Sequence, residues 1–432
     1  MKFIFADSLD TIDPKYNFLE DRFNPKREVY WDDLYPHQVL KRSPYDGILI
    51  SRAVIGRPGA SGQYNQVLAM RFRRVGARAF LRFSEKEYPE SMIIGDCGAF
   101  AYSNEEIPPY SVEDMIDFYG DGQFTHGASV DHIIFDFVDD DKVSTINEDA
   151  KNENQRRYDL TLNNAEAFLK SSEYLGNGFV PLGVVQGWSP TSMAQAALKL
   201  KKMGYSYIAI GGMVPLNDAQ IEKALTKIRE YVGGDMRIHL LGFAKANTIQ
   251  NYSKYNITSF DTTSPFIKSF KDDRHNYFSF EDCIGDHYTA IRVPQSTVNN
   301  KLKNLAKEGI YQQEDLQKRE QEALGKLRAF DKNNATLDDT LNAVMAYANP
   351  IVVGNEGEPT TSQNNTLTKL KDAYTRTLNE KPWKKCACTI CSEVGIEVII
   401  YRASNRNKRR GFHNLYSYRN HLDNIGITKR YE

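Results

Sequence analysis

Short apolar runs recur along the first 260 positions, each closing on a polar or glycine residue and separated by longer stretches able to supply helices. The runs fall at 2–5, 47–50, 92–94, 132–135, 182–185, 207–210, 238–241 and 258–260. The residues that close them are Asp7, Ser51, Asp96, Asp136, Gln186, the pair Gly211 and Gly212, Gly242, and Asp261. Runs of this length without helical period read as buried strands. A polar or glycine residue at each strand exit is what a barrel of parallel strands places around its active face. The pattern predicts an α/β chain, a (β/α)8 TIM barrel. A doubly wound open sheet also alternates strands and helices, but eight similarly terminated repeats favour closure.

Two intervening helices are legible in detail. Pro190, Thr191 and Ser192 lead into an Ala- and Leu-rich stretch that Gly204 can stop. Asn217 and Asp218 lead into a segment whose Ile221, Ala224, Leu225 and Ile228 fall on one face, closed by Gly233 and Gly234. Their basic residues are expected to face solvent. After the last strand the pattern changes: 270–300 is polar and then strand-like, 300–350 is helical, and the polar tract 356–366 reads as a surface loop or linker. The chain is therefore divided into a barrel at 1–280, a helical and strand insertion or accessory region at 281–370, and a basic subdomain at 371–432 that carries three closely spaced cysteines and a histidine.

A chain of 432 residues with 41% hydrophobic and 26% charged positions can bury large cores and does not have the profile of a disordered protein. Its net charge of −1 gives no overall attraction to a polyanion, so a nucleic-acid partner requires a local basic patch. Asp7 and Asp10 interrupt the opening segment where a signal peptide would stay apolar, and no stretch has the length of a membrane span. A soluble, cytoplasmic protein is expected.

Three of the five cysteines, Cys386, Cys388 and Cys391, lie within six positions, a spacing suited to sharing a metal. With His413 they form a Cys3His set, the donor pattern of a structural zinc site with every position filled. His421 is the alternative fourth ligand. Cys97 and Cys283 read as buried small apolar residues. Lys384, Lys385, Arg406, Lys408, Arg409 and Arg410 surround this set among few acids and are candidates for phosphate contact.

These residues resemble the tRNA-guanine transglycosylase superfamily, and more closely its DNA-acting branch, the DNA-guanine transglycosylases that insert 7-deazaguanine bases. The family's Cys-x-Cys-x-x-Cys followed by His-Asn-Leu is matched by Cys386, Cys388, Cys391 and His413 with Asn414 and Leu415. Its barrel motifs are matched in order by Asp96 to Phe100, by Phe135 and Asp136, by Gly183 to Gly187, by Gly211 to Met213, and by Phe260 and Asp261. The match covers roughly 90–270 and 380–425. It implies a (β/α)8 barrel bearing one structural zinc per chain, Asp261 as a nucleophile that forms a covalent glycosyl intermediate, and Asp96 as the second, proton-handling carboxylate. It further implies guanine recognition by Asp136, Gln186 and Gly212, with Gly187 and Gly211 leaving room for the base. Phe100, Tyr102, Met213 or Trp188 would stack on it.

The segment after Asp261 reads Thr-Thr-Ser-Pro-Phe-Ile-Lys where tRNA-acting relatives carry a Pro-Thr-Arg-type stretch, leaving Lys268 or Arg274 to substitute for the family's arginine. Ala99 replaces one of two paired glycines. The segments 6–18 and 45–54 are similar to the DNA-acting branch. The expected activity is exchange of guanine in DNA for a 7-deazaguanine, with 7-cyano-7-deazaguanine as the incoming base. The alternatives are guanine exchange in tRNA for queuosine or archaeosine synthesis, and a catalytically silent nucleic-acid-binding protein. DNA, the free base, helper proteins of a modification system and a homodimer are the partners this implies.

Overall fold

The computed structural model describes the chain except Ser8, Pro58 and Gly59, Gly62, Ala244, 280–285, 356–357 and 429–432. Cys283 lies outside the described residues. The chain divides into two compact units, one made of Met1–Leu9, Tyr45–Ser264 and Ile425–Glu432, the other of Asp10–Pro44 and Pro265–Asn424. Residues 281–370 and the Cys3His segment thus fall within the same unit.

The first unit is a closed barrel of eight parallel strands: β1 (Lys2–Ala6), β2 (Gly47–Ser51), β3 (Met92–Asp96), β4 (His126–Ala128), β5 (Val180–Val185), β6 (Tyr207–Ile210), β7 (Arg237–Leu240) and β8 (Ser259–Asp261). The strands follow one another around the barrel in chain order. It closes where β1 pairs with β8, Lys2 opposite Ser259 and Ile4 opposite Asp261. Alternate residues on the strands share a face. Ile4, Leu49, Met92, Ile94, Leu182, Val184, Tyr207 and Ala209 form one buried cluster.

Seven predicted strands are present at or within a few residues of their expected positions. The fourth is not at 132–135. His132, Ile133 and Ile134 are buried, but β4 is the short His126–Ala128 segment, which pairs with Ile94 and Gly95 on one side and Val180 to Leu182 on the other. Its central residue is glycine because aromatic rings occupy the space beside it: a Cβ on Gly127 would lie 2.6 Å from Tyr119 and 2.7 Å from Phe179.

Barrel helices include α1 (Gln66–Leu81), α2 (Val112–Gly122), α3 (Glu148–Ser171), α4 (Pro190–Met203) and α5 (Asp218–Val232). Ser189 caps α4 by accepting from the Ser192 N–H, and Asn217 caps α5 through Gln220. Gly204 and Gly233 follow their last turns, and Ile221, Ala224, Leu225 and Ile228 are all buried, as their spacing requires.

The second unit contains α6 (Gln313–Asp331), α7 (Leu337–Val352), α8 (Thr361–Glu380), the short α9 (Thr389–Val394) and α10 (Ser404–Asn424). Of the expected loop at 356–366, positions 356 and 357 lie outside the described residues, and α8 corrects the expectation from Thr361 onward. Thr360 accepts from the Gln363 N–H while the Gln363 side chain accepts from the Thr360 N–H, so this polar tract is a helix start. Among the described residues no helix is long and apolar enough to cross a membrane.

Candidate active site and metal centre

In the barrel unit, the carboxylates of β3 and β8 stand in different surroundings. Asp261 is buried, and its Oδ1 accepts from the Gly242 backbone N–H at 2.8 Å and lies 3.1 Å from His239 Nε2. Gly242 has φ +59°, and this left-handed conformation aims its N–H at the carboxylate. Asp96 has its Oδ1 enclosed without a hydrogen-bond partner. Its pKa is pushed up to about 7, first by burial and then by the negative charge of Asp261, with Asp131 adding to the shift; the Ser51 hydroxyl and Gly98 backbone N–H oppose it. Near neutral pH this group can both hold and release a proton.

Asp131 carries no motif and was not singled out from the sequence. It is buried, accepts from Cys97 Sγ at 3.1 Å and from Gln186 Nε2 at 2.7 Å, and burial raises its pKa against both contacts. Cys97 is therefore not a simple apolar filler; its sulfur also accepts from Tyr102, whose hydroxyl is bound to Asp131 O as well. These contacts hold Tyr102 within the wall, where it is buried.

Gln186 is 2% exposed, and its Oε1 accepts from the Ile134 N–H at 3.2 Å. A Cβ on Gly211 would lie 2.3 Å from its Nε2, and one on Gly212 would lie 3.0 Å from Ile134 O. These two glycines let the β6 exit close over the Gln186 amide. A Cβ on Gly187 would meet Met193 and Ser192 at 2.8 Å, so the missing side chain lets this turn pack onto α4. Asp136 is exposed, and its Oδ2 accepts from Asn154 at 2.8 Å. Met213 is buried, whereas Phe100 is 53% exposed and lies beside Phe135, with ring centroids 6.0 Å apart. Phe100 also comes within 3.9 Å of the Cβ position of Gly242, the residue whose N–H meets Asp261.

The second unit holds the metal-ligand set. The donor atoms of Cys386, Cys388, Cys391 and His413 all lie within 4.8 Å of one another. His413 Nδ1 is 3.4, 3.5 and 3.3 Å from the three sulfurs in that order. A tetrahedral ion with Zn–S near 2.3 Å and Zn–N near 2.0 Å sets S and N about 3.5 Å apart, so the set fits. His413 Nε2 lies 2.7 Å from Phe278 O; donating to that carbonyl leaves Nδ1 as the ligand nitrogen. The Tyr277 ring stacks on His413 at 3.9 Å, and its hydroxyl reaches Cys391 Sγ at 3.3 Å. His421 is not part of the set.

The expected basic patch separates into two groups. Lys384 and Lys385 are exposed, and Lys408 is partly exposed, 3.7 Å from Asp10. Arg406, Arg409 and Arg410 are buried and are not phosphate contacts in this structure. Arg406 pairs with Glu397 at 2.8 Å and with Asp21, Arg409 donates to Asp13 O at 2.7 Å, and Arg410 donates to Val398 O at 3.0 Å and to Asn407 Oδ1 at 2.7 Å. Composition counted these charges as surface because arginine usually is; here acids, an amide and backbone carbonyls, some near in sequence and some far, enclose them.

No protein-family model matches the chain. Over 424 residues it is 39% identical to a protein of Salmonella montevideo described as a DNA-guanine transglycosylase, the alignment covering 98% of this chain and 96% of that one. With a closed parallel barrel, carboxylates at its strand exits and a Cys3His cluster, the chain belongs to the DNA-guanine transglycosylase family.

Proposed function

We propose that this protein exchanges guanine in DNA for a 7-deazaguanine base, 7-cyano-7-deazaguanine, through a covalent intermediate on Asp261. The observation that carries the mechanism is the asymmetry of its two carboxylates. Asp261 accepts from the Gly242 N–H and lies beside His239, whereas Asp96, buried and then repelled by the Asp261 charge, has its pKa pushed up to about 7.

Asp261 attacks the sugar C1′ as the bond to guanine N9 breaks, giving a glycosyl ester on the enzyme. Asp96 delivers its proton to the departing base and is left ionised. The incoming base then attacks C1′, releases Asp261 as carboxylate and gives its own N9 proton back to Asp96, so the proton inventory is restored. Asp136 accepts from the N1–H edge of the base. The Gly212 N–H and the amide hydrogen that Gln186 does not give to Asp131 face its O6. Phe100 is the stacking surface, since it is exposed beside Gly242, and buried Met213 forms part of the wall. The target nucleotide leaves the duplex stack to reach Asp261. Cys386, Cys388, Cys391 and His413 would hold a zinc ion that fixes the local fold and supplies no reaction step. Lys384, Lys385 and Lys408 remain as the phosphate contacts of that segment.

The test is incorporation of labelled guanine into matched duplex DNA and unmodified tRNA, with Asp261→Asn as control. Label entering DNA alone, and lost in the variant together with a denaturant-resistant protein–DNA adduct, is the expected result. Label entering tRNA alone would overturn the substrate, and label entering neither would overturn base exchange.

A further inference from the structure

The buried interior of the barrel contains a polar chain that the reaction scheme does not use. Tyr207 Oη on β6 lies 2.6 Å from Ser259 Oγ on β8, and Ser259 Oγ lies 2.6 Å from His239 Nδ1 on β7. On its other side the same ring places Nε2 3.1 Å from Asp261 Oδ1. Tyr207, Ser259 and His239 are at most 1% exposed. Four polar side chains in contact inside an otherwise apolar cluster are costly unless each donor meets an acceptor.

With Asp261 ionised and the imidazole neutral, only one arrangement of protons satisfies every contact. The carboxylate accepts only, so His239 Nε2 must carry a hydrogen. With neutral imidazole, Nδ1 is then an acceptor and takes the single Ser259 proton. Ser259 in turn accepts from the Tyr207 phenol, whose pKa burial raises to about 12 so that it keeps its hydrogen. The opposite direction would set the Nε2 lone pair against a carboxylate oxygen. Tyr207 is held in turn by Arg237, whose guanidinium lies 4.7 Å from its ring, and by the edge of His126.

We propose that His239 is a positioning residue for the nucleophile, its tautomer set by Ser259 and Tyr207. Nε2–H and the Gly242 N–H together occupy Asp261 Oδ1 and leave Oδ2 as the attacking oxygen. The inference rests on the assignment of Asp261 as nucleophile. A second-layer imidazole that locks its partner by a directed hydrogen bond resembles the way orienting groups fix metal ligands and catalytic bases.

The experiment compares His239→Phe, His239→Gln and Ser259→Ala with wild type. It measures kcat and KM for labelled guanine on duplex DNA, adduct formation, thermal melting, and the nitrogen NMR signature of the His239 ring. Phe retains the ring volume without the N–H, whereas Gln retains a donor. His239→Phe is expected to lower kcat about 100-fold, the scale of a reacting group misplaced by about 1 Å, with KM close to wild type and melting lowered because the buried Ser259 hydroxyl loses its acceptor. His239→Gln recovers activity to within about 10-fold of wild type. The ring of the wild-type protein is expected in the Nε2–H form, with that preference weakened in Ser259→Ala. Wild-type kcat in His239→Phe, equal losses in the Phe and Gln variants, or an Nδ1–H ring in the wild type would each overturn the proposal. Should wild type fail to exchange guanine at all, the functional assignment fails, while the NMR form of the ring still decides the hydrogen-bond chain.

Discussion

Asp96 links the chemistry of the site to the stability of the barrel. Its carboxyl is neutral more readily in the folded chain than in the unfolded one, with a pKa of about 7 against an ordinary 3.8. Its contribution to stability is therefore complete below about pH 4, falls as pH rises through 7, and is lost above it. Asp96→Asn, a neutral mimic, should raise stability at pH 8 by about 2–4 kcal/mol, with the gain vanishing near pH 4. The same substitution should slow exchange about 10²- to 10⁴-fold. Denaturant titrations at the two pH values check the first part; a pH-independent effect would show that charge is not its cause. Gly242→Ala tests the other carboxylate. An alanine at φ +59° costs about 1–2 kcal/mol, so the loop should relax and withdraw its N–H from Asp261, and adduct formation is expected to slow while the barrel melts nearly as before.

At the scale of elements, what was legible followed local periodicity and capping. Helices α4 and α5 were written in their caps, their apolar faces and the glycines after them, and seven strands were marked by their apolar runs. Strand β4 was not, because His126–Ala128 is chosen by the rings of Tyr119 and Phe179 packed over it, and no local pattern records those partners. The same limit hid Asp131 and His239, whose positions are defined by Gln186 and Asp261 on other strands. It also turned three helical arginines into apparent surface. On α10, Arg406 is enclosed with Glu397 and Asp21, and removing one member of a buried ionic group leaves the others uncompensated. Arg406→Ala should destabilise the second unit by about 3–5 kcal/mol, measured by denaturant unfolding. A loss of DNA affinity in that variant with unchanged stability would return Arg406 to the interface. Cys388→Ser should reduce bound zinc and the yield of folded protein together. Full zinc content and a normal melting curve in the variant would remove the metal from any structural role.

Over the whole molecule, acidic and basic residues nearly cancel, so attraction to DNA depends on where the exposed cations stand and not on their total. If Lys385 meets a phosphate, Lys385→Ala should flatten the slope of log affinity against log salt by about 0.9, with little dependence on DNA sequence. An unchanged slope would place the contact elsewhere. The closure of the barrel has an effect of another kind. Asp261 lies on the strand that joins to residues 2–4, so its partners across the seam belong to opposite ends of a barrel sequence more than 250 positions long. Every other neighbouring pair of strands is joined by a far shorter stretch of chain. Contacts that distant form late, because the intervening loop entropy must be overcome first. Recovery of any activity is therefore expected only in the slowest phase of refolding, after most of the helical signal has returned, and activity regained before that phase would show that the seam closes early.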